Sequence, residues 1–124
     1  MASEVLARPD TRPVLDVGTT LERLGGDEEL FGEIAQILIQ TAPDQLSSIG
    51  AALAGNDLKT AYHEAHSLKG AVAAFEAPAA FTAVAAVERH AKLDEGAAAV
   101  AAFAAAQPLV HLLLAELAPY VPAA

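Results

Sequence analysis

Between Asp16 and Leu117 apolar side chains return every three or four residues, and the runs that carry this period are separated by glycine, proline or aspartate. That spacing lines one face of an α-helix, whereas a half-buried strand alternates every two residues. No run in the 124 residues shows the alternation, so the chain is expected to be all-α. Alanine sharpens the expectation. It supplies 31 of the 124 residues while aromatics make up 5%, so the largest share of the apolar fraction is one small, helix-favouring side chain suited to closely packed helices. At this length one domain with one modest core is expected.

The order of elements follows from caps and breaks. Residues 1–15, with Pro9, Pro13 and mixed charge, carry no apolar period and read as a loose tail. Asp16 opens a short helix that Gly25-Gly26 stops. Asp27, with Glu28 and Glu29 at the positive end of the dipole, opens a long one whose apolar face is read as Leu30, Ile34, Ile37 and Leu38. Pro43 is expected to break or kink it before Leu46, Ile49 and Leu53 resume the stripe. Asp57 begins the next helix, lined by Leu58, Ala61, Tyr62, Ala65, Leu68, Val72 and Phe75. Pro78 suits the first turn of the following one, lined by Phe81, Val84, Val87 and Ala91. After the turn Asp94-Glu95-Gly96, a last helix runs from Ala97 to about Leu117, with Val100, Phe103, Leu109, Leu113 and Leu117 as its apolar set. Short turns between long helices make neighbours antiparallel, which gives an up-down four-helix bundle with an additional short N-terminal helix over residues 16–118 and a second tail at 119–124.

Residues 97–115 contain no formally charged side chain, which raises the question of a membrane span. Alanine contributes little to insertion, and Gln107, Pro108 and His111 interrupt the middle, so this is read as a buried helix bent at Pro108. Sixteen acidic against seven basic residues give a net charge of −9, which opposes binding to nucleic acid or to an anionic membrane. With no cysteine, thiolate chemistry and Cys-based metal sites are excluded. Met1 is not followed by a basic and then apolar leader, and the expected location is cytoplasmic. Paired Glu-x-x-His motifs of the di-iron kind do not occur either.

Four histidines, His63, His66, His90 and His111, are the side chains whose unperturbed titration lies nearest neutrality. At roughly 100° per residue His66 falls about 120° from the centre of its helix's apolar face, so it is not a core histidine. His63 points opposite the core and reads as solvated; His90, beside Arg89, reads as solvent-facing, and His111 as a boundary residue. His66 stands apart by its neighbours. Lys69, Gly70 and Ala73 follow it at three, four and seven residues, on the adjoining helical surface. A glycine inside a helix costs about 0.5–1 kcal/mol against alanine, so Gly70 asks for a reason, either a helix-packing contact or the close approach of another backbone. A neutral imidazole is a competent nucleophile, and an ammonium beside it would stabilise phosphoryl oxygens.

The stretch Ala65-His66-Ser67-Leu68-Lys69-Gly70-Ala71 closely resembles the centre of the histidine-containing phosphotransfer (HPt) domains of phosphorelays, which share His-x-x-Lys-Gly within a four-helix bundle. Residues 24–30, Pro43, Asn56-Asp57 and Val87 also resemble the family, and coverage is about residues 16–118. The resemblance implies that His66 is the phosphorylated residue, on Nε2, and that Lys69 helps neutralise the phosphoryl oxygens. It also implies that Glu88 holds the other ring nitrogen, and that Gly70, Ala73 and Lys92 belong to the partner-binding face, together with Ala77. Glu76, where many relatives have glycine, is a departure that bears on how the third long helix ends; Glu88, often glutamine in relatives, is a second, since a carboxylate repels a phosphoryl group.

As the resemblance has it, His66 accepts a phosphoryl group from a receiver aspartate, or from a kinase, and passes it to another receiver. The partners are receiver domains of response regulators or hybrid histidine kinases, and a monomer is expected. The chain has no ATP-binding boxes, so no kinase activity and no cofactor are expected, any Mg²⁺ lying in the receiver's acidic cluster. Three alternatives stay open: the phosphoacceptor domain of a chemotaxis-type histidine kinase, where a glutamate like Glu88 often partners the histidine, a helical adaptor that is never phosphorylated, and a metal-binding bundle, which the lack of paired Glu-x-x-His motifs disfavours.

Overall fold

The computed structural model describes residues 13–122 and is helical throughout. Helix α1 spans Val17–Arg23, α2 Glu28–Ala54, α3 Leu58–Val72, α4 Pro78–Lys92 and α5 Gly96–Leu117, followed by a 3₁₀ turn at Ala118–Tyr120. Each start is built locally. Asp16, Asp27 and Asp57 accept the backbone N–H of Thr19, Leu30 and Thr60 at 3.0, 3.0 and 3.1 Å, which satisfies donors that a helix's first turn leaves free. At α4, Pro78 occupies the first turn, where its missing N–H costs nothing. Gly25 and Gly26 stop α1 with φ of +71° and +79°, a conformation that a side chain disfavours.

Consecutive long helices pack on one another and α2 closes the ring against α5, so the four form the expected bundle. Phe31 lies at its N-terminal end, edge-on to Phe75 at 6.1 Å and tilted against Tyr120 at 5.1 Å. The C-terminal turn crosses α2 so closely that a Cβ on Gly32 would stand 2.6 Å from the Tyr120 carbonyl oxygen; only glycine fits there.

Several sequence-based expectations need correction. Pro43 does not break its helix: it lies inside the uninterrupted α2, as Pro108 lies inside α5. Each proline is exposed, while buried Leu38, Ala42 and Leu46 around Pro43, and Ala106 and Val110 beside Pro108, hold the helix in place. The core face of α2 is Phe31, Ala35, Leu38, Ala42, Leu46 and Ile49, whereas Leu30 and Ile37 are exposed. Phe81 on α4 and Val100 on α5 are also exposed. The last helix is not a buried one: Gly96–Tyr120 is long and apolar enough to cross a membrane by length and composition, yet 22% of its most apolar window is buried, along the face carrying Ala99, Ala106, Val110, Leu113 and Leu117.

The bundle also reaches past the expected 16–118. Glu116 accepts the backbone N–H groups of Val14 and Leu15 at 3.0 and 2.7 Å, and the Leu15 side chain is buried. The rest of the expected N-terminal tail, residues 1–12, and the last two residues lie outside the described range. Glu76 falls in the turn between α3 and α4 and ties it to α1. Its carboxylate meets Arg23 at 3.0 Å, its N–H donates to Thr20 Oγ1 at 2.8 Å, and its carbonyl accepts from Asp16 at 2.7 Å. The helix ends at Val72, before Phe75, in a turn braced by Glu76.

Candidate functional site

The third helix, α3, is amphipathic because Ala61, Ala65, Leu68 and Val72 take its inner stripe. His66 is thereby turned outward, with its side chain 62% accessible. Val87 is buried in the facing α4, and that brings its neighbour Glu88 against the rim of the helix pair. The result is a three-residue cluster. Nδ1 of His66 lies 2.6 Å from one Glu88 oxygen, and the Lys69 ammonium lies 2.6 Å from the other.

Burial pushes the Glu88 carboxyl up, since its side chain is 12% accessible, but the hydrogen bonds from Lys69 and His66 more than reverse this and hold it below its ordinary 4.5. The carboxylate is therefore ionised at neutral pH and can only accept. That places the imidazole proton on Nδ1 and leaves the Nε2 lone pair facing outward in the neutral ring. The Lys69 ammonium also offsets the charge of the Glu88 carboxylate.

Around this cluster the surface is low. A Cβ built on Gly70 meets nothing within 4 Å, so the glycine is not there for helix packing. Ala73 is half-buried and caps α3, its carbonyl accepting from Arg23 at 3.0 Å. Ala77 does not join this face: it is 2% exposed, because the turn ahead of Pro78 directs it into the core. Lys92 is exposed in the last turn of α4.

Of the remaining histidines, His63 is exposed as expected. His90 is more enclosed than expected and holds Glu95 through Nδ1 at 2.7 Å, and His111 is exposed rather than at a boundary. Among the described residues no group of three or more His, Asp or Glu side chains could hold a metal ion.

Two contacts near the site were not anticipated. Tyr62, read from the sequence only as lining the core face, lies nearly parallel to the imidazole, ring centroids 6.0 Å apart and planes 23° apart; its spacing of four residues was the available signal. Gln45 of α2 donates to Ser67 at 3.0 Å, a contact across 22 residues that no local pattern announces.

An outward imidazole, braced through one nitrogen on a helical bundle, matches what comparison with known families returns: the Hpt domain over residues 33–119. The chain belongs to the Hpt family. Hpt domains carry out histidine phosphotransfer in phosphorelays and interact with receiver domains. Comparison with curated proteins and with solved structures gives no match. The match begins within α2 and ends just after α5, so α1 and the start of α2 lie outside it.

Proposed function

We propose that His66 is the phosphoacceptor of this Hpt domain, and that the chain relays a phosphoryl group between receiver domains. The observation that carries the reading is the exposed ring of His66 with Nδ1 committed to Glu88. The Nε2 lone pair attacks the phosphorus of a receiver's phosphoaspartate, an N–P bond forms, and the P–O bond to the aspartate breaks, returning a carboxylate to the receiver. With Nδ1 still protonated the phosphorylated ring is cationic, and the Glu88 carboxylate opposite Nδ1 stabilises that charge. Onward transfer reverses the step: the aspartate of a second receiver attacks, the N–P bond breaks, and its electron pair returns to Nε2.

Lys69 has two roles here. It keeps Glu88 ionised, and its remaining N–H groups are available to phosphoryl oxygens. Gly70, Ala73 and Lys92 form the docking face, with the cation of Lys92 meeting acidic groups that surround a receiver's aspartate. The bundle supplies positioning rather than further chemistry. The chain acts as a monomer, binds neither nucleic acid nor membrane, and works in the cytoplasm.

Incubation with a phosphorylated receiver and Mg²⁺ tests this. The expected result is acid-labile, base-stable label on the wild type and none on His66→Gln, with equal helical content. Label of the same stability on His66→Gln would move the phosphoacceptor elsewhere.

A further inference from the structure

Glu88 fixes the edge of the His66 ring, but a single hydrogen bond at Nδ1 leaves the ring free to swing about it. The constraint on that motion comes from the same helix. Tyr62 precedes His66 by one turn, where side chains meet, and its ring lies 6.0 Å from the imidazole with 23° between the planes, an offset stack. Tyr62 is itself half-buried against the core, so it presents a fixed surface. Its other aromatic contact is His63, edge-on at 5.1 Å. The charged groups around the imidazole are Glu88 from α4 and Lys69 behind that carboxylate, while the neighbouring Gln45–Ser67 contact from α2 is neutral.

On the reading of His66 as phosphoacceptor, we infer that Tyr62 is a positioning residue: it backs one face of the ring and restrains its swing about the Nδ1 hydrogen bond, so that the in-plane Nε2 lone pair keeps one direction, and its electron-rich face stabilises the ring once phosphorylated. The chemistry gives the second effect its direction. Attack by Nε2 converts a neutral imidazole into a cationic one, and a cation over a phenol face is attracted by the ring quadrupole where a neutral ring is held by stacking alone. The contact is therefore stronger after transfer than before it, which is the condition for it to raise the rate.

Phosphoramidate, a small donor that needs no partner surface, isolates the effect: Nε2 attacks its phosphorus, the P–N bond breaks and ammonia leaves. Tyr62→Phe is expected to form phosphohistidine within about twofold of the wild-type rate, whereas Tyr62→Leu slows it about 2- to 10-fold, the range of one aromatic contact. Tyr62→Met replaces leucine where leucine impairs folding. Nitrogen NMR of the His66 ring supplies a readout that a packing role alone would not move. Wild type and Tyr62→Phe keep one Nδ1–H signature, and the leucine variant shows exchange between ring orientations. A leucine variant with wild-type rate and wild-type ring signals would overturn the inference, as would equal slowing by phenylalanine and leucine. If the wild type takes no label, the phosphoacceptor reading fails instead, and the ring spectra still decide for or against Tyr62.

Discussion

Replacing Gly70 by alanine separates what the helix wants from what the docking face needs. Gly70 sits in the last turn of α3, and a Cβ built there meets no atom within 4 Å, so alanine enters without displacing anything. The gain comes from the unfolded chain, which has fewer conformations to lose, and from better helix propensity, together about 0.5–1 kcal/mol. For a domain of this size that raises the melting temperature by about 2–5 °C. The same methyl stands one turn beyond His66, on the surface a receiver must cover to reach Nε2. Overpacking a tight contact by a methyl group costs about 1–3 kcal/mol, or roughly 5- to 150-fold in transfer from a phosphorylated receiver at subsaturating concentration. Phosphorylation by phosphoramidate, which covers no surface, should stay within about twofold of wild type. Thermal melting followed by circular dichroism, with the two labelling assays in parallel, reads all three. A lower melting temperature would mean that position 70 is in contact within the fold, and unchanged receiver transfer would mean that no partner closes over it.

Two further substitutions probe the supports of the site. Glu88 has its carboxyl lowered below 4.5 in the folded state, so its ion pairs contribute stability above that pH and lose it as pH falls through the folded value; urea unfolding at pH 7 and near pH 3.5 should show wild type losing more stability in acid than Glu88→Gln, and equal losses would refute the link. Thr20 is fully buried, with its hydroxyl donating to the Asp16 carbonyl at 2.8 Å and accepting from Glu76 N–H at 2.8 Å. Thr20→Val keeps the shape but orphans that N–H, and should cost about 1–3 kcal/mol by denaturant titration; a wild-type midpoint would show that the α3–α4 turn finds another acceptor.

How much of this was legible before folding differs from element to element. The caps at Asp16, Asp27 and Asp57 and the stop at Gly25-Gly26 were readable because each is settled within four or five residues. The inner stripe of α3 was readable too, since polar His63, His66 and Lys69 leave one face to choose. On α2 and α5 the choice was open. With alanine scattered over every side, the large residues Leu30, Ile37 and Val100 suggested a core face, but the bundle buries Ala35, Ala42, Ala99 and Ala106 instead, because small residues let helices approach. Pro43 was read as a break or kink from local chemistry, but the helix runs on through it, held by the buried residues on either side.

The chain's own order of residues determined that α3 would present an imidazole, a lysine and a glycine on one outer surface, because a helix's 3.6-residue turn places them there without help from any neighbour. Only the packing of α4 on α3 decided that Glu88 meets both His66 and Lys69, and thus which ring nitrogen keeps its proton. That relation depends on the rotation and register of two helices whose contact residues lie 22 positions apart. No local period encodes such a register; it is set where the buried surfaces of the whole bundle fit at once.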